Sequence, residues 1–168
     1  VRRLLGFLAL LGALVVGAEA HLRILHPTNK QPLYWQNPGN VSVVIQADGS
    51  ADVPDDSDRA ALELAVAAWN RAPGTIARLA LDMDSPVVNT TQWQSTGVHL
   101  LWFDETNASG YFPSGTGTVA ITPIWFFSDG RISDADVLFN GSGYSFTTSA
   151  QPGRFDIQDV ATHELGHL

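Results

Sequence analysis

The 168-residue sequence contains no cysteine, and its nine basic residues are outnumbered by 17 acidic ones. Without cysteine no disulfide can staple the chain, so buried apolar side chains and any bound ion must hold the fold. The formal charge of −8 argues against nucleic acid and against an anionic membrane surface as partners, because both require a concentrated basic patch. No apolar run reaches the ~20 residues that a membrane-spanning helix needs. Internal repeats and low-complexity tracts are absent as well.

The longest apolar run has another reading. Arg2 and Arg3 form a positive start, Leu4 to Val16 is almost wholly apolar, and Ala18-Glu19-Ala20 is a small-x-small site. This order describes a secretory signal segment over residues 1–20, cleaved after Ala20. The expected mature chain, residues 21–168, is exported, extracellular and free of the membrane. Losing the segment removes two basic residues and one acidic residue, which takes the formal charge to −9. One domain of ordinary size fits what remains.

Local patterns predict its elements. An entry segment carries Pro27, Pro32, Tyr34, Trp35 and Pro38, and Val41 to Ala47 (VSVVIQA) is a β-branched strand. The acids that follow, Asp48, Asp52, Asp55, Asp56 and Asp58, suit turns and the start of a helix better than a calcium loop, since their spacing is not that of an EF-hand. That helix is predicted from about Asp58 to Arg71, with Leu62, Ala65, Val66 and Trp69 on its core face and Pro73-Gly74 as its stop. Strands are predicted over Ala77 to Met83, Val98 to Phe103, Thr118 to Phe127 and Ile132 to Phe139. Strand, helix, several strands and a last helix make an α/β layer with helices against one twisted sheet.

The last helix carries the chemistry. Asp156 is its predicted N-cap, Asp159 adds a negative charge to the first turn, and Ile157, Val160, Ala161, Leu165 and Leu168 form an apolar stripe. On its flank lies His163-Glu164-Leu165-Gly166-His167, an H-E-x-x-H pattern. Histidines four apart on a helix project from one face and can meet on one metal ion. Zinc is the natural candidate, because it takes neutral imidazole nitrogens and, in catalytic sites, three protein ligands and an open position. Glu164, beside the metal and not a ligand, is placed to act as general base.

The stretch DVATHELGHL resembles the start of the zinc helix of the metzincin peptidases, specifically the matrixin family. Thr118 to Asn140 (TVAITPIWFFSDGRISDADVLFN) resembles the matrixin pair of cleft-bordering edge strand and following A-D-x-x-F-N/D strand, and Pro123 suits an edge position. AVAAWN resembles the end of the family's first helix. Together these cover residues from about 35 onward. The resemblance implies a mostly parallel sheet with one antiparallel edge strand, packed on a long helix and the zinc helix. It implies a secreted zinc metalloendopeptidase acting on a protein or peptide substrate, with His163 and His167 as metal ligands and Glu164 as the catalytic base.

The same resemblance implies a third ligand, a histidine six residues after the second, and a methionine-containing turn, both beyond Leu168. Two family features do not carry over: the propeptide cysteine that keeps animal matrixins latent, and a second structural zinc, whose histidines are replaced by Ile121 and Leu138. Calcium is a further candidate cofactor, through Asp136 and Asn140, although Asp134, Asp136 and Asn140 equally suit a solvent-facing set and strand-end turn residues. His99 reads as a hydrogen-bonded sheet residue, and His26 is uninformative. Two alternatives stand beside the peptidase: a non-catalytic binding or structural module with an incomplete metal site, and a copper protein using His21 as mature N-terminus. Four N-x-S/T sequons occur, at Asn40, Asn89, Asn107 and Asn140. Substrate preference and oligomeric state are not legible.

Overall fold

The computed structural model describes residues 24–87, 93–94 and 96–168. The signal segment, His21 and the Asn89 sequon lie outside the described residues. Nine strands and two helices are described: β1 Val41–Gln46, α1 Ser57–Arg71, β2 Leu79–Val87, β3 His99–Phe103, β4 Ala120–Ile121, β5 Ile124–Phe126, β6 Ile132–Ala135, β7 Val137–Phe139, β8 Phe146–Thr147, β9 Phe155–Asp156 and α2 Ile157–Leu165.

Five strands form the main sheet in the order β2-β1-β3-β7-β4. The pairs β1–β2, β1–β3 and β3–β7 are parallel, and β4 runs antiparallel to β7 at the outer edge. The molecule is thus a mixed α/β fold on a mostly parallel sheet. Parallel neighbours need a crossover, and α1 supplies the one between β1 and β2. Its start has no side-chain cap: Asp56 takes a left-handed conformation (φ 58°), while buried Asp58 in the first turn accepts the Ser50 amide at 2.8 Å. Gly49 (φ 63°) is obligatory there, because a Cβ would collide with the Asp58 carboxylate. The helix stops where expected, with Ala72 extended before Pro73.

Strands β3 and β7 are buried on both faces, as parallel strands usually are. In β3, Leu101 and Phe103 face the helix-side core with Val43, Leu62, Ala65, Val137, Phe139, Ile157, Ala161 and Leu165. Leu100 and Trp102 face the other way, into a cluster with Trp93, Phe112 and Leu138, against which Ile121 and Trp125 pack. Ile121 and Leu138 thus both sit in apolar contact. Trp69, expected in the core, is only partly buried and packs against it.

Two predicted strands are each broken in two. Thr118 to Phe127 divides at Thr122-Pro123, where proline cannot donate to a ladder, and its second half, β5, joins β6 in a separate two-stranded sheet. Ile132 to Phe139 divides at Asp136, whose amide donates to the Pro123 carbonyl at 3.1 Å instead of continuing the strand. The two breaks face one another, and they re-aim the chain just beside α2.

Candidate active site

The helix that bears H-E-x-x-H is aimed by the loop before it. Phe146, fully buried, stacks edge-on against Phe103 and Phe139. Its amide donates to Asp52 at 2.8 Å, and β8 pairs in parallel with β9, which runs directly into α2. Asp156 then caps the helix as expected, its Oδ1 accepting the Asp159 amide at 3.2 Å. Ile157, Ala161 and Leu165 are fully buried, whereas Val160 and Leu168 are only partly so.

The α-helix ends at Leu165, two residues short of the second histidine. Two tighter bonds carry the turn onward, from the Gly166 amide to His163 O at 3.0 Å and from the His167 amide to Glu164 O at 2.9 Å. His167 thereby remains one turn above His163. Trp35 closes this end: its Nε1 donates to Leu168 O at 2.5 Å, and its ring meets that of His99 edge-on.

The two imidazoles converge. Nε2 of His163 and Nε2 of His167 lie 3.4 Å apart, with the rings inclined at 77°. Two nitrogens on a tetrahedral ion at about 2.0–2.1 Å would be separated by about 3.3–3.4 Å. The pair therefore fits one edge of a zinc site. Among the described residues no group of three or more His, Asp or Glu side chains is placed to hold a metal.

Glu164 is 7% exposed. Its carboxylate Oε2 accepts the hydroxyl of Thr122 at 2.7 Å, and Thr122 Oγ1 is also 3.2 Å from Glu164 O. Sequence reasoning missed Thr122. A lone threonine inside an apolar β-branched run reads as strand filler, and the adjoining Pro123 marked only an edge position.

A cleft of about 390 Å³ opens between β4 and α2. Val119 and Ala120 line one side; Phe155, Val160, His163 and Glu164 line the other. Among the described residues β4 is hydrogen-bonded to β7 alone, which makes it the edge strand of the sheet, and its Ala120 lines the cleft. His167 faces a second cavity of similar size, walled by Trp35, Trp69 and Ile76.

The remaining candidate residues serve elsewhere. Asp134, Asp136 and Asn140 are buried, at 0%, 0% and 6% exposure, so the solvent-facing expectation is overturned. Asp134 accepts the amides of Thr96 and Gly97 and pairs with His99 Nδ1 at 2.8 Å, which makes His99 the hydrogen-bonded sheet residue the sequence suggested. Asp136 Oδ1 accepts the Leu100 amide at 2.8 Å, while its Oδ2 is buried without a hydrogen bond. Burial first, and the Asp134 charge beside it, push the Asp136 carboxyl up to about 8, against the opposing Leu100 hydrogen bond. Asn140 holds its own turn, accepting the Gly143 amide and donating to Thr118 O. The Asp-rich loop likewise serves turns, with Asp55 accepting both the amide and the hydroxyl of Ser57.

Of the sequons, Asn140 is buried and Asn107 bonds Phe112 through both amide atoms, while Asn40 is exposed. Among the described residues no helix is long and apolar enough to cross a membrane. The chain matches no protein-family model, and a search of curated proteins gives no match.

Proposed function

We propose that this chain carries the zinc-binding and base-bearing part of a secreted, matrixin-like metzincin zinc metalloendopeptidase. One observation carries the reading: the 3.4 Å approach of His163 and His167 Nε2, with His163 and the neighbouring Glu164 both lining the cleft beside β4. The same 3.4 Å also allows one imidazole N–H to donate to the other ring, and what favours a metal site over that bond is the Glu164 carboxylate next to His163 in the chain and in the cleft lining.

His163 and His167 hold the ion on this reading, and the third protein ligand comes from residues following Leu168. When bound, zinc supplies Lewis acidity to the scissile carbonyl and to the attacking water. The chain's own residues do the rest. Glu164 takes the proton from that water and delivers it to the leaving amine. The free edge of β4 pairs with an extended peptide, laying it along the cleft, since an unpaired edge offers backbone donors and acceptors in register. Val119, Phe155 and Val160 give the peptide an apolar wall.

The test is peptide hydrolysis by a protein translated past Leu168. Activity lost to a chelator and restored by zinc supports the proposal. A zinc-loaded protein inert toward a broad set of unstructured peptides contradicts it.

A further inference from the structure

Resting on the reading of Glu164 as base, we infer that Thr122 is a positioning residue that selects which carboxylate oxygen takes the proton. Glutamate has three rotatable side-chain bonds, and a base that samples several rotamers spends little time aimed at its target. Burial restricts Glu164 only in part. The hydroxyl of Thr122, 2.7 Å from Oε2, is the contact that fixes the carboxylate's end. That distance is the usual one for a hydroxyl donor and an oxygen acceptor. A hydroxyl has one hydrogen, and of the two acceptors within reach the carboxylate is nearer than the Glu164 carbonyl at 3.2 Å. With Oε2 engaged, Oε1 is the oxygen left to accept the proton.

The placement of Thr122 makes this bond more than a local contact. Thr122 follows β4 directly and precedes Pro123, which fixes the chain's departure from the sheet edge. The edge offered to a peptide backbone and the group that restrains the base are therefore consecutive in the chain. A peptide seated on β4 would be held in register with Glu164 through a single residue.

The experiment compares Thr122→Val, which keeps the β-branched shape and removes the donor, with Thr122→Ser, which keeps the donor. In the zinc-loaded full chain, Thr122→Val should lower kcat about 10- to 100-fold with KM within about twofold, because what is lost is alignment and not binding. Thr122→Ser should recover most of it, and zinc content should be unchanged in both. An independent readout needs neither metal nor turnover: three-bond couplings of the Glu164 side chain in the 168-residue protein should show one rotamer in wild type and Thr122→Ser but averaging in Thr122→Val.

Wild-type kcat in Thr122→Val, alongside collapse in Glu164→Gln, overturns this inference and leaves the peptidase reading standing. Activity that falls only in step with zinc content or melting temperature, and is not recovered by serine, makes Thr122 merely structural and overturns it also. Full activity in Glu164→Gln removes the underlying reading and this inference with it. Should Thr122→Val fold poorly, Thr122→Ala removes the same donor, and kcat per zinc-loaded molecule decides.

Discussion

The Nε2 atoms of His163 and His167 stand 3.4 Å apart although the α-helix that carries them ends at Leu165. The bonds from the Gly166 and His167 amides preserve the register past that end. Helical periodicity therefore places the pair even where the regular helix has stopped.

Two imidazoles underhold a zinc ion, which leads to the first prediction. The 168-residue protein should bind zinc far more weakly than a protein extended past Leu168, by a factor of at least about 100, since each ligand lost leaves the ion a more open shell. Competition with a chromogenic chelator measures both. Equal affinities would place the third ligand within these 168 residues.

The second prediction separates His99 and Asp134 from the metal. Asp134→Ala removes the acceptor for Thr96, Gly97 and His99 and leaves the His99 ring without its carboxylate. Leaving a donor of this kind without its acceptor costs about 1–3 kcal/mol. The urea midpoint should fall markedly, while zinc affinity of the folded protein stays as in wild type. A loss of zinc without loss of stability would make Asp134 a ligand.

The third concerns pH. Asp136 is raised to about 8, well above the ~3.9 of an unfolded aspartate. The folded state then binds the proton more tightly than the unfolded state does. Stability from this group is intact below about pH 4, declines through the interval up to about 8, and stays low above it. Thermal melts from pH 5 to pH 8.5 should show falling stability that flattens in Asp136→Asn, whose amide keeps an acceptor for Leu100 and carries no charge. A rise in melting temperature on adding calcium at pH 8.5, lost in Asp136→Asn, would instead assign the unpartnered Oδ2 to a cation.

How much of this was legible in the sequence differs between residues for physical reasons. The order of elements, α1 and its stop, and the cap and core stripe of α2 follow from periodicity and local hydrogen bonding, which sequence displays directly. So does the His163–His167 pairing. The breaks at Pro123 and Asp136 were not foreseen, because they depend on partners that pair across the fold. Pro123 itself was legible as an edge residue, but the hydrogen bond from the Asp136 amide to its carbonyl was not. Asp134 and Asp136 looked solvent-facing because acids usually are, and their hydrogen-bond donors lie on Thr96, Gly97 and Leu100, more than thirty residues away. Thr122 was hidden for the same reason, its acceptor being 42 positions along the chain.

The central claim is that His163 and His167 hold zinc while Glu164 moves the proton, and the most direct measurement is metal content beside peptide hydrolysis in a protein extended past Leu168. Glu164→Gln should keep the zinc and the fold, since the amide nearly matches the carboxylate in shape, yet lose about 10²–10⁴-fold in kcat. His163→Ala and His167→Ala should each lose zinc and activity together, and stability with them. A Glu164→Gln protein that retains zinc and hydrolyses peptides at the wild-type rate would contradict the account.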